Sequence, residues 1–229
     1  MSQKILIITH SSSANPGRVG MHLKQRGYLL DIRYPIGGEV LPDRLGDYAG
    51  IVIFGGPMSV NDTEEFPALL TEIKLVQQAV EEDHRLLGIC LGAQLIAQSQ
   101  GELVAPHPSG QVEIGYFPIT PTASADPLFG NTQYFYQWHQ EGFCLPQHAV
   151  SLAQGSPYFP NQAFRLKNNI YGVQFHPEVT TDIMELWMER AAHKLAFPGA
   201  QQPEKQRAEN EKHQQDVEIW LNQFFDLWL

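Results

Sequence analysis

Leu86-Leu87-Gly88-Ile89-Cys90-Leu91-Gly92-Ala93-Gln94-Leu95-Ile96-Ala97 is the stretch from which the rest of the chain can be read. An apolar run reaches Gly88, a cysteine follows with glycines at plus and minus two, and an Ala/Leu/Ile-rich segment with helical spacing begins. This spacing predicts a sharp strand-to-helix turn of the nucleophile-elbow kind. Such a turn forces its central residue into a strained backbone, so the neighbours must be small, and Gly88 and Gly92 supply that room. Cys90 would sit just before a helix N-terminus, where the macrodipole favours thiolate. Taken by itself, Cys90 is either a nucleophile or a buried structural cysteine.

Upstream, the chain alternates strand and helix. Lys4 to Thr9 is apolar on both faces, as in a parallel sheet covered by helices. His10 to Gly17 reads as a polar turn, Arg18 to Arg26 as a helix stopped by Gly27, and Tyr28 to Tyr34 as a second strand. Gly50 to Phe54 is a third buried strand followed by Gly55-Gly56-Pro57, and Leu69, Leu70, Ile73, Val76 and Val80 give a helical period. Arg85 to Ile89 is the fourth strand. The pattern predicts an α/β fold with a doubly wound, mostly parallel sheet flanked by helices. Ligands in such sheets bind beyond the carboxyl ends of the strands, where both Gly55-Gly56 and Cys90 fall.

The second half is strand-rich. Val112 to Ile119, Tyr134 to His139 and Val150 to Gln154 read as strands, and Ala163 to Lys167 with Ile170 to Phe175 as a hairpin around the two-residue turn Asn168-Asn169. Val179 to Leu195 is predicted helical, with Ile183, Leu186, Trp187 and Leu195 on its apolar face. Residues 1–195 form the expected domain. Residues 196–229 are a polar linker and a C-terminal amphipathic helix, with Val217, Trp220, Leu221, Phe224 and Trp228 at helical spacing.

The chain has 229 residues, 43% of them hydrophobic, and a net charge of -10. That balance argues against nucleic acid or an anionic membrane as partner. Two cysteines, Cys90 and Cys144, without a CxxC pair or a disulfide framework make a reducing cytoplasm the natural compartment. Ile5-Leu6-Ile7-Ile8 is too short for a signal-peptide core or a spanning helix. Cys144, between Phe143 and Leu145, reads as a core residue. The nine histidines show no metal-ligand spacing, so no metal and no cofactor are expected. His22, His84, His107, His148, His193 and His213 read as surface or structural residues.

His176-Pro177-Glu178 directly follows the last predicted strand. A histidine at a strand end is often structural, but this one lies on the predicted ligand face, with a carboxylate two residues away and an elbow cysteine elsewhere in the chain. A thiol must lose its proton to attack; a histidine can take it, and a carboxylate can orient the ring. Gly55-Gly56-Pro57 is either a tight turn or, with the Leu91 N–H, the source of preset donors for an oxyanion.

Gly88-Ile89-Cys90-Leu91-Gly92-Ala93-Gln94, Phe54-Gly55-Gly56-Pro57 and His176-Pro177-Glu178, in this order and spacing, resemble class I glutamine amidotransferase domains. The resemblance covers about residues 1–195. Glu113-Ile114-Gly115 and Trp138-His139-Gln140-Glu141 are similar to segments of the stand-alone members related to the glutaminase domain of GMP synthase, where an aspartate is expected at the place of Glu141. The resemblance implies a flavodoxin-like fold and hydrolysis of the glutamine side-chain amide through a γ-glutamyl thioester on Cys90. His176 would shuttle the proton, Glu178 would orient His176, and the Gly56 and Leu91 amides would form the oxyanion hole. Gln94, His139 and Gln140 would line the glutamine pocket. No Gly-x-x-x-x-Gly-Lys-Ser/Thr phosphate loop is present, so released ammonia would go to an acceptor on a synthetase partner or to solvent. A γ-glutamyl peptide or amide hydrolase with the same chemistry, and a non-catalytic regulatory protein on this scaffold, are the alternatives.

Overall fold

The alternation of Ile5 and Ile7 with Leu6 and Ile8 gives the first strand two apolar faces, and the fold covers both. The computed structural model describes residues 3–125, 128–130 and 132–229. In chain order the elements begin with β1 (Lys4–Ile8), α1 (Gly17–Gln25), β2 (Leu29–Arg33), β3 (Tyr48–Ile53), α2 (Ala68–Glu81), β4 (Leu86–Ile89) and α3 (Leu91–Ser99). The strand-rich part follows: β5 (Val104–Pro106), β6 (Glu113–Pro118), β7 (Thr120–Pro121), β8 (Tyr134–His139), β9 (Glu141–Phe143), β10 (Val150–Gln154), β11 (Asn161–Leu166) and β12 (Ile170–Val173). Two helices close the chain, α4 (Thr181–Arg190) and α5 (Pro203–Trp228).

The central sheet runs β2-β1-β3-β4-β12-β11-β10-β7. Its first five strands are parallel and the remaining three extend it antiparallel. The order 2-1-3-4 followed by β12 is that of a flavodoxin-like sheet, whose switch point lies between β1 and β3. Ile5, Ile7, Val52, Leu87 and Ile89 face one layer, with Val19 and Leu23 of α1 and the aromatic face of α5. Leu6, Ile8, Ile51, Ile53 and Leu86 face the other, with Leu69, Val76, Leu95 and Ile96 of α2 and α3. Two separate ladders, β5–β9 and β6–β8, stand beside the sheet.

Several expectations are corrected. The hairpin turn holds three residues, since Leu166 pairs with Ile170, and Lys167 carries the positive φ of 54°. The predicted helix from Val179 to Leu195 is shorter: α4 stops at Arg190 and a 3₁₀ segment, Ala192–Ala196, follows. Its start is fixed by Thr180, whose Oγ1 accepts from the Ile183 N–H. Its buried residues are Ile183, Met184 and Met188, not Leu186 or Leu195. Methionine fills the irregular space against Tyr116 and Tyr136. Cys144 is exposed rather than core, because it lies just beyond the end of the short β9, which the sequence did not reveal.

The polar run after Gln201 is mostly the first half of α5. Its buried Gln206 and Asn210 accept hydrogen bonds from the Tyr136 and Tyr116 hydroxyls at 2.7 and 2.8 Å. The second half buries Val217, Trp220, Leu221, Phe224, Phe225 and Trp228 in the core. Trp220 contacts Phe129, Phe135, Phe175 and Phe224. Trp220→Ala should therefore lower the unfolding free energy by roughly 3–5 kcal/mol, measured by urea denaturation. A loss below about 1 kcal/mol, the range of peripheral sites, would show that α5 does not belong to the cooperative core.

Candidate active site

Four parallel strands end at the same edge of the sheet, and each delivers one part of the site. Thr9-His10 leaves β1, Gly55-Gly56 follows β3, Cys90 follows β4, and His176 lies three residues after β12.

Cys90 has φ 52° and ψ -106° and leads directly into α3. A non-glycine residue in this region is strained. The glycines that the sequence marked make the turn fit. A methyl group on Gly92 would collide with the Ile53 carbonyl, and one on Gly88 with the Gly92 backbone. The Cys90 N–H donates to the Val173 carbonyl at 2.8 Å, tying the elbow to β12. Cys90 is buried but lines a cleft with Gly56, Gln94, Trp138, Gln140 and Glu141.

The chain does turn at Pro177, and His176 Nδ1 lies 2.7 Å from Glu178 Oε1, both side chains buried. With the carboxylate as acceptor, Nδ1 carries a hydrogen and Nε2 is directed elsewhere. Among the described residues Nε2 has no hydrogen-bond partner. The segment is held on three sides. The His176 N–H donates to the Tyr136 carbonyl, the Glu178 carbonyl accepts from the Arg18 N–H, and the Trp187 ring meets the imidazole edge-on at 4.9 Å. A methyl group on Gly55 would lie 2.8 Å from His176 Cε1 and 3.5 Å from Cys90 Cβ, so ring and cysteine meet over that glycine.

Burial alone would lower the pKa of His176, but the negative charges of Glu178 and Cys90 outweigh it and push the value up to about 10. A raised value ties folding to retention of that proton. Its stabilising contribution is complete below about pH 6.5, the ordinary histidine value, and is lost as the pH rises through about 10.

Of the other residues singled out in the sequence, Gly56, Gln94, His139 and Gln140 line the cleft, and Leu91 follows Cys90 at the start of α3. Neither the Gly56 N–H nor the Leu91 N–H has a backbone acceptor among the described residues, and Leu91 opens α3. Gln94 Nε2 donates to the Glu141 carbonyl at 3.0 Å. His139 is buried, with Nε2 3.1 Å from Glu113 Oε2 and Nδ1 3.0 Å from the Glu141 carbonyl. Gln140 lines the cleft directly. Glu141 accepts from the Ser59 hydroxyl, and burial raises its pKa.

Three participants were not marked in the sequence. Lys194 lines the cleft from the 3₁₀ segment after α4. His10, read as part of a polar turn, is buried against Glu72 of α2. Lys194 carries no motif. His10 and Glu72 stand 62 residues apart, although a glutamate on the buried face of α2 was a signal that could have been weighed. Among the described residues no cluster of His, Cys, Asp or Glu could hold a metal ion, and no helix is long and apolar enough to cross a membrane.

The family model for glutamine amidotransferase class-I matches residues 22–191, and the chain belongs to that family. It is 33% identical over 201 residues to the glutamine amidotransferase-like protein YfeJ of Salmonella typhimurium, covering 84% of this chain and 83% of YfeJ. To the glutamine-hydrolyzing GMP synthase of Porphyromonas gingivalis it is 32% identical over 183 residues, 78% of this chain but 34% of the synthase. A solved glutamine amido transferase from Methylobacillus flagellatus superposes with a TM-score of 0.90 at 25% identity, covering 100% of this chain and 94% of the other.

An ion pair between His176 and Cys90 would have a chemical signature, for which exposed Cys144 is an internal reference. At about pH 6, well below the ~8.5 of an ordinary thiol, iodoacetamide should label Cys90 faster than Cys144, and His176→Asn should remove the difference. Equal labelling of the two cysteines in the unaltered protein would contradict the pairing.

Proposed function

We propose that the chain is a cysteine-dependent glutaminase acting through a γ-glutamyl thioester. One observation carries the reading: a cysteine in a strained elbow faces a buried histidine whose far nitrogen is held by a carboxylate. In the resting pair the proton resides on His176. Cys90 Sγ attacks the side-chain amide carbon of glutamine, forming the C–S bond, and the carbonyl oxygen becomes an oxyanion. The Gly56 and Leu91 N–H groups receive that charge. As the C–N bond breaks, His176 gives its proton to the leaving nitrogen and ammonia departs. Glu178 holds the ring in the required tautomer throughout. His176 then takes a proton from water, whose oxygen attacks the thioester; glutamate leaves and the cysteine is restored.

The charges of the cleft suit the head of the substrate. Lys194 matches an α-carboxylate and Glu141 an α-ammonium, while Gln94, His139 and Gln140 complete the wall. Any γ-glutamyl compound presents the same head, so a γ-glutamyl peptide or amide fits the same chemistry with a different leaving group. The Porphyromonas relative is named a synthase, and this chain spans only 34% of it. On this reading ammonia is either the product or the cargo for a synthetase.

The purified chain should release ammonia and glutamate from glutamine, and Cys90→Ala should abolish both. Turnover of γ-glutamyl amides without turnover of glutamine would favour the hydrolase reading. Activity that survives in Cys90→Ala would overturn the proposed nucleophile, and turnover of neither substrate class would favour a regulatory role.

A further inference from the structure

His10 uses both ring nitrogens, and both partners constrain where its protons are. Nδ1 lies 3.1 Å from the Gly55 carbonyl oxygen and Nε2 lies 2.9 Å from Glu72 Oε2. The His10 and Glu72 side chains are fully buried. A carbonyl oxygen can only accept, so Nδ1 must donate. One further proton is then shared between Nε2 and Glu72. In either location, on the ring or on the carboxyl, the Nδ1–H is retained and the pair as a whole is neutral. A buried pair of this kind is costly to break, because removing one partner leaves an uncompensated polar group.

The carbonyl it holds belongs to the same peptide unit as the Gly56 N–H. A trans peptide directs its C=O and N–H to opposite sides. With the Gly55 oxygen turned to the His10 ring, the Gly56 N–H is turned away from it. The other side of this loop faces Cys90 and His176, against which a methyl on Gly55 would press, and Gly56 itself lines the cleft with Cys90. Glycine is needed at 56 for this arrangement, since a methyl there would lie 2.8 Å from His10 Cβ and 2.7 Å from Leu91 Cδ2. Two consecutive glycines are conformationally permissive and would otherwise let the peptide rotate. We propose that His10, anchored by Glu72, is a positioning residue that fixes the Gly55–Gly56 peptide with its N–H toward the reacting centre. The consequence for rate rests on the glutaminase reading; the orientation of the peptide does not.

The test separates the two ring nitrogens. His10→Asn places an amide near the Nδ1 position and keeps a donor for Gly55. His10→Gln reaches the Nε2 position, keeps a partner for Glu72 and loses the donor for Gly55. Crystal structures of both variants report the peptide directly, and ammonia release from glutamine reports its effect. The expected result is an unmoved Gly55–Gly56 peptide in His10→Asn, with turnover closer to that of the unaltered protein than in His10→Gln, although loss of the Glu72 contact lowers the stability of the variant. In His10→Gln the peptide should be rotated, with kcat lowered by on the order of a hundredfold and KM little changed, the loss typical of one oxyanion donor. An unmoved peptide in His10→Gln overturns the positioning role. A rotated peptide with unchanged kcat overturns its link to the oxyanion. If the unaltered protein turns over no γ-glutamyl substrate while the peptide rotates in His10→Gln alone, the positioning role stands and the glutaminase reading falls.

Discussion

The left-handed backbone of Cys90 is the constraint on which the site depends. A non-glycine residue held there costs on the order of 1–3 kcal/mol, and it persists because its surroundings leave no alternative. Gly88 and Gly92 allow β3, β4 and α3 to approach so closely that added methyl groups would strike backbone. The Cys90 N–H is bound to the Val173 carbonyl. The same turn that strains the cysteine sets its side chain at the carboxyl end of the sheet and the Leu91 N–H at the head of a helix, so the proposed nucleophile and the proposed donor would arise from one local conformation.

Around that elbow stand three buried imidazole–carboxylate pairs with different duties. His10 with Glu72 and His139 with Glu113 each use the second ring nitrogen to hold a backbone carbonyl, of Gly55 and of Glu141. These two pairs hold the backbone of segments that line the cleft at Gly56 and at Glu141. His176 with Glu178 is the exception, because among the described residues its second nitrogen holds no backbone carbonyl and is left toward Cys90. Burial works against charge on His176, and its contacts with Glu178 and Cys90 raise its pKa in spite of that.

Much of this was legible in the sequence because it rests on local rules. Glycines at plus and minus two of Cys90 foretold the elbow, and two-faced apolar runs foretold a parallel sheet covered on both sides. The spacing of His176 and Glu178 foretold a contact across Pro177. What the sequence hid depends on distant partners. His10 looked like part of a solvated turn because Glu72 lies on another element. Cys144 looked like core because its neighbours are apolar, yet it sits beyond a three-residue strand too short to leave a pattern. The polar first half of α5 gave no sign that Gln206 and Asn210 would be buried under tyrosine hydroxyls. Its aromatic second half did, through simple helical spacing.

The central claim is that Cys90 becomes acylated. Acid-quenching the protein during turnover of glutamine, followed by peptide mass spectrometry, reads this directly. The account predicts a γ-glutamyl adduct on the peptide containing Cys90 and none on the peptide containing Cys144. Ammonia production with no adduct on Cys90, or with the adduct elsewhere, would contradict it.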